Sequence, residues 1–179
     1  MNTPDQPGYS RDSITVEKKH GVDPNPSTAA DFVMTSDQFF RENPSSRYDV
    51  IFIDGLHLFE QAYRDCLNGF EALNPNGVVI MHDTRPSNKF SSSRQQGKSN
   101  KWHGDVWRAI LLLRLVKPDL TIMTVDTDEG LTILRRESNG FTRLVDLPDE
   151  IFAWKTYTQH FEQILGLVTE EEFLRAFPI

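Results

Sequence analysis

Apolar positions along the chain follow two periods. The run YDVIFID, residues 48–54, puts Val50 and Phe52 on one face of an extended strand and Ile51 and Ile53 on the other. A strand with no polar face predicts cover on both sides, as in a central parallel strand. VVIMHD, residues 78–83, has the same character. Between these runs, residues 57–73 bring Phe59, Ala62, Tyr63, Cys66, Phe70 and Leu73 round at spacings of three and four, with Glu60, Arg64, Asp65 and Glu71 elsewhere. That period predicts a helix with one apolar stripe, closed by the turn NPNG.

The same reading extends to both sides. HGVDP (residues 20–24) and DFVMT (residues 31–35) read as short strands, and SDQFFREN (residues 36–43) as a short helix opened by capping residues. Residues 104–116 predict a helix with Asp105 at its positive end, stopped by Lys117-Pro118. LTIMTV and LTILRR, separated by DTDEG, predict an antiparallel pair at one edge. Two helices follow over about 148–177, the second opened by Thr169 with Glu172 three residues on. Strands alternating with helices predict an α/β fold: a Rossmann-like, mostly parallel sheet with helices on both faces and an antiparallel edge hairpin. Residues 1–12 predict a disordered tail and 13–179 a single domain. The polar stretch 85–104 is too long for an ordinary connection and reads as a lid or a disordered loop near the site.

Composition narrows the class. With 38% hydrophobic and 25% charged residues the 179-residue chain matches an ordinary folded domain, large enough to bury a core without disulfides. The lone Cys66 lies on the apolar stripe and reads as core. A net charge of −7 disfavours nucleic acid and anionic lipid as partners. No membrane span or secretory leader is evident, which predicts a cytoplasmic protein.

Candidate chemistry follows from where the strands end. In open α/β sheets ligands lie outside the carboxyl ends of the strands. Asp23, Asp37, Asp54 and Asp83 fall at or just after such ends, with His57 and His82 beside them. Carboxylates gathered there call for protons or a cation. Asp54, His82 and Asp83 form an oxygen-rich set with one imidazole, which suits Mg2+ or Mn2+ better than zinc. Taken singly, Asp54-Gly55 is also a turn and His82 also a core histidine.

GVDP, DFVMTSDQFF, YDVIFIDGLHLFEQAYRDCLNGFEALNPNGVVIMHD and GDVWRAI together resemble successive pieces of class I S-adenosylmethionine-dependent methyltransferases, especially those acting on small molecules and sugars. The similar region runs over about residues 21–136. The resemblance implies that Asp23 binds the cofactor's ribose hydroxyls, that Ser36 and Asp37 stand at the adenine, and that Asp54 and Gly55 lie near the reacting methyl. It implies a divalent cation on Asp54 and Asp83, with His82 as a further ligand, and His57 as general base toward a small-molecule hydroxyl. An unperturbed imidazole titrates near about 6.5, which suits that role; a helix cap is the other reading of His57.

One departure stands out. Family members open with a strand and a glycine-rich loop, and before Asp23 this chain has only Gly8 and Gly21. The fold is therefore expected to be incomplete at the N-terminal strand. An unpaired edge favours pairing with another chain, so a homodimer is expected. The other readings are a binding or assembly module that kept the fold, and a metal-dependent hydrolase using Asp54, His82 and Asp83.

Overall fold

The computed structural model describes residues 14–97, 101–136 and 148–177, in two units, Met1–Pro44 and Ser45–Ile179. The tail expected over residues 1–12 lies outside the described residues.

In the first unit the two expected short strands reduce to a single parallel bridge, Val22 to Phe32. Its backbone bonds run from Asp23 N–H to the Phe32 carbonyl (3.1 Å) and from Phe32 N–H to the Gly21 carbonyl (3.0 Å). Pro24 and Pro26 have no N–H to extend the ladder. Helix α1, Ser36–Glu42, follows. Its N-cap is Thr35, whose hydroxyl accepts from Gln38 N–H, and it buries Phe39.

The second unit is built on five strands: β1 (Tyr48–Ile53), β2 (Leu73–Met81), β3 (Thr121–Val125), β4 (Leu131–Arg135) and β5 (Leu167–Val168). Their order across the sheet is β1-β2-β4-β3-β5. β1 is parallel to β2 and β3 to β5, while β4 runs against both β2 and β3. Four strands thus point one way and β4 alone opposes them, which is the mostly parallel α/β sheet expected. The β3–β4 pair is antiparallel as expected but is no edge hairpin: β4 lies inside, between β2 and β3, and β5 extends the sheet beyond β3. NPNG does not end the helix before the strand; it forms part of β2, and the register slips there between Tyr48 and Val50.

Helices α2 (Phe59–Glu71), α3 (Trp107–Val116) and α4 (Trp154–Leu165) pack on one face of the sheet. Ala62, Cys66 and Phe70 of α2 meet Val79 and Met81 of β2, with Ile110 and Leu111 of α3 and Ile164 and Leu165 of α4 in the same core. The alternate strand residues Met123, Val125 and Ile133 face the other way, toward Phe173 and Phe177 in and after α5 (Glu170–Ala176). α5 opens with the expected capping box between Thr169 and Glu172. Its reach is limited. Val50 and Phe52 of β1 are each 56% exposed, against the expectation that both faces of β1 are covered. The reason is position, since β1 ends the sheet and α5 packs at the β3–β4 end.

Among the described residues no helix is long and apolar enough to cross a membrane.

Candidate functional site

The parallel ends of β1 and β2 stand side by side. Ile53 is in register with Met81, and the His82 N–H donates to the Ile53 carbonyl at 3.0 Å. Asp54 and the His82-Asp83 pair therefore leave the sheet together. Asp83 turns the chain out of the strand with a φ of 56°, a left-handed conformation aspartate tolerates better than most residues.

After the Asp54-Gly55 turn the chain folds back and presents His57. Its Nε2 lies 3.3 Å from Asp54 Oδ1 and 3.2 Å from Asp83 Oδ2. His82 Nδ1 lies 3.4 Å and 3.3 Å from the same two oxygens. Two carboxylate oxygens and two imidazole nitrogens make one quartet. Gly55 lines the small cleft beside it with Leu56, Met81 and Val106.

Loop residues behind the quartet fix His57. The Trp102 carbonyl can only accept, and it sits 2.6 Å from His57 Nδ1, so that nitrogen carries a proton and Nε2 is left facing the carboxylates. Asp105 N–H donates to the His57 carbonyl at 3.2 Å, and Asp105 Oδ1 accepts from Phe59 N–H at 2.8 Å. The latter supplies the cap that Leu58, the N-cap of α2, lacks. Gly104 lies against the same carbonyl: a Cβ there would stand 1.7 Å from His57 O, and its φ is 59°. Only glycine fits that approach. The stretch 85–104 is thus tied to the site through its carboxyl end, residues 101–104.

Charge sets the protonation states. For His57, burial works against the imidazolium, but the bond to Asp54, the Trp102 carbonyl and the charges of Asp83 and Asp54 outweigh it and raise the pKa. Contact with Asp54, then with Asp83, holds His82 up at about 10. The Asp54 carboxyl is pushed far below the usual carboxylate range, by His57 first and His82 second.

His82 is nonetheless poorly served. Its contacts with the carboxylates lie within ion-pair distance but lack hydrogen-bond alignment, and both ring nitrogens are buried without a hydrogen-bond partner among the described residues. An orphaned nitrogen between two carboxylate oxygens is what a cation would satisfy. Asp54, His57 and Asp83 also offer ligand atoms all within 4.8 Å of one another. The donor set, two oxygens and one or two imidazoles, fits a divalent ion such as Mn2+ or Mg2+.

The remaining expected residues belong to the first unit. Asp23 is partly buried, and its Oδ1 accepts from Asn25 N–H at 2.7 Å. Ser36 and Asp37 occupy the first turn of α1.

Four contributors escaped the sequence reading: the Trp102 carbonyl, His103, Asp128 and Glu129. Asp128 Oδ2 lies 3.4 Å from His82 Nε2. His103, 1% exposed, places Nε2 2.9 Å from Glu129 Oε2 and 3.7 Å from Asp83 Oδ1. The acid-rich DTDEG turn after a strand was the one signal in the sequence for the two carboxylates; for a backbone carbonyl there is none.

No curated protein matches the chain at a significant level. Residues 11–84, which hold Asp23, Ser36, Asp37, Asp54, His57, His82 and Asp83, match a family described as a methyltransferase domain, in line with the resemblance to class I S-adenosylmethionine-dependent methyltransferases.

Proposed function

We propose that the chain moves a methyl group from S-adenosylmethionine to a hydroxyl of a small molecule or sugar. The observation that carries this reading is His57 Nε2, its orientation set by Trp102, standing 3.2–3.3 Å from two strand-end carboxylates in a segment matched to methyltransferases. The acceptor oxygen attacks the sulfonium methyl in line. The sulfur–carbon bond breaks with its electron pair going to sulfur, and the acceptor proton passes to His57 Nε2. Asp54 and Asp83 hold the resulting imidazolium by charge.

Asp23 takes the ribose hydroxyls in this reading; a carboxylate that already accepts one backbone N–H keeps lone pairs for a diol. Ser36 and Asp37 serve the adenine side, and Asp54 with Gly55 the methyl. A divalent cation would be held by Asp54, Asp83 and His82, leaving His57 its lone pair, and would lower the acceptor hydroxyl's pKa.

The test is calorimetric titration with S-adenosylmethionine and its demethylated product, with and without Mg2+. Micromolar binding that Asp23→Ala weakens at least tenfold supports the reading; no heat at millimolar ligand defeats it.

A second copy of the chain is the proposed partner. β1 ends the sheet with Val50 and Phe52 exposed on one face. Two β1 strands paired antiparallel about Ile51 would set each Val50 opposite a Phe52, a favourable β-branched–aromatic pairing. Sedimentation velocity should show a dimer that Phe52→Lys dissociates; a monomer at every concentration excludes it.

A further inference from the structure

Three threonine hydroxyls meet at the core of the sheet. Thr84 follows β2, Thr124 belongs to β3 and Thr132 to β4, and each is 0% exposed. A buried hydroxyl is out of reach of water, so its partners must come from the fold. Thr124 and Thr132 are opposite one another in the β3–β4 ladder, with their Oγ1 atoms 2.7 Å apart. Thr132 Oγ1 donates to Thr84 Oγ1 at 2.8 Å, and Thr84 Oγ1 donates to the Gly130 carbonyl at 3.0 Å. Thr124 is then left with one proton for two acceptors, Thr132 and the Leu165 carbonyl at 2.9 Å. At the Thr84 end each contact has its own proton.

That end of the chain of hydroxyls is joined by one peptide bond to Asp83, whose φ of 56° is left-handed. Such a conformation persists where the surroundings enforce it. Asp83 stands between two held neighbours. Before it, the His82 N–H donates to the Ile53 carbonyl at 3.0 Å; after it, the Thr84 hydroxyl is bonded to Gly130 and the Arg85 N–H to the Glu129 carbonyl at 3.0 Å. The Thr84 N–H reaches the Gly130 carbonyl only at 3.4 Å, so the hydroxyl is the closer donor. The turn seats tightly: a Cβ on Gly130 would come within 2.8 Å of Thr84 Oγ1 and 2.6 Å of Arg85 Cβ, and with a φ of 93° only glycine serves there. Relaxing Asp83 to an ordinary negative φ would either lift Thr84 off Gly130 or swing the Asp83 carboxylate away from His57 and His82, which its Oδ2 meets at 3.2 Å and 3.3 Å.

We propose that Thr84 is a positioning residue for the quartet: its hydroxyl, bonded to the Gly130 carbonyl, fixes the chain just beyond Asp83 and thereby holds Asp83 left-handed with Oδ2 turned to the two imidazoles. The buried hydroxyl links the β3–β4 turn to the site through the backbone, without touching any member of the quartet itself. The inference rests on the reading of Asp83 as part of the reacting end of the site, but it concerns the unliganded protein.

The experiment compares the full chain with Thr84→Val, which has the same shape without the hydroxyl, and with Thr84→Ser, which restores the hydroxyl. NMR at pH 7 reads the three-bond HN–Hα coupling of Asp83, which reports φ, and the ring 15N signals of His57 and His82. In Thr84→Val the coupling should leave its parent value and both rings should shift; in Thr84→Ser all three should stay at parent values. Thr124→Val is the control for stability alone. It removes a hydroxyl from the same buried chain and should lower the thermal midpoint as Thr84→Val does, but it leaves the Thr84–Gly130 bond in place, so the Asp83 coupling and both rings should not move. If Thr84→Val does not fold, Thr84→Cys, a weak donor of similar size, gives the same comparison with smaller shifts expected. A coupling or rings that keep parent values when the hydroxyl is lost would overturn the inference, as would Thr124→Val or Thr84→Ser moving them as far as Thr84→Val. None of these signals depends on cofactor binding, so a failed titration with S-adenosylmethionine would defeat the proposed activity without altering them.

Discussion

His57 Nε2 and Asp83 Oδ2 lie 3.2 Å apart although they follow different strands. Parallel pairing of β1 and β2 in the Ile53–Met81 register makes this contact, and the left-handed turn at Asp83 aims it. Charge attraction between the two then ties the protonation of one to the other. Asp83→Asn should lower the pKa of both His57 and His82, the latter from about 10 toward the ordinary 6.5. A histidine-resolved NMR titration measures this; a His82 that titrates unchanged in the variant would remove Asp83 from the quartet.

Stability should follow pH through the same groups. His82 has a raised folded pKa, so its contribution is full below about 6.5 and is lost as pH rises through about 10. Asp54 has a depressed folded pKa, so its contribution is full above the ordinary carboxylate value and is lost as pH falls below it. Urea midpoints should therefore fall off on both sides of a plateau near neutrality. A midpoint unchanged between pH 7 and pH 11 would contradict the alkaline limb.

Gly104 is the tightest backbone approach to the site. Gly104→Ala places a methyl where the His57 carbonyl stands and forces an L-residue to a φ of 59°. The left-handed conformation alone costs about 1–3 kcal/mol, and the clash adds to it. Denaturant unfolding should show a loss of at least about 2 kcal/mol, together with loss of the fixed Nδ1–H of His57 in NMR. A variant with parent stability would mean the segment is not seated on His57.

Much of this arrangement was legible beforehand, and the rest was hidden for identifiable reasons. The runs VIFI and VVIM, the three-and-four spacing from Phe59 to Phe70 and the Thr169–Glu172 capping box each specify an element through neighbouring residues, and each formed. Local pattern also led to Asp54, His57, His82 and Asp83, because strand ends follow directly from strand runs. What failed depends on distant partners. The exposure of Val50 and Phe52 reflects β1's place at the end of the sheet, and β4 sits inside because it pairs with β2, far off in sequence. Glu129 meets His103, which lies beside Asp83, only once the β3–β4 turn folds over the exit of β2. No period in the sequence encodes that closure.

Asp105 combines two tasks that substitution can separate. It is 1% exposed, caps α2 through Phe59 N–H, and its other oxygen meets Arg94 at 2.7 Å and Arg108 at 2.9 Å. Asp105→Ala removes both and should cost about 2–4 kcal/mol, from the lost cap and the two cations left without their buried carboxylate. Asp105→Asn keeps an oxygen for the cap and should cost less. Equal losses in the two variants, measured by chemical denaturation, would mean the cap contributes nothing.

Metal binding at the quartet must displace a proton. With a pKa of about 10 His82 is an imidazolium at neutral pH, and an imidazolium cannot ligate. Loading Mn2+ onto Asp54, Asp83 and His82 therefore requires His82 Nδ1 to be deprotonated, with the proton released to buffer. The same cation replaces the favourable contact between His82 and the carboxylates, so affinity should weaken by up to about tenfold for each unit by which pH falls below 10. Titrating Mn2+ calorimetrically at one pH in two buffers of different ionisation enthalpy reads the released proton directly, and His82→Gln should abolish that release while leaving weaker binding to the two carboxylates. Binding whose heat is independent of buffer, with affinity flat between pH 6 and pH 8, would place the ion elsewhere and leave His82 as the permanent counter-charge of Asp54 and Asp83.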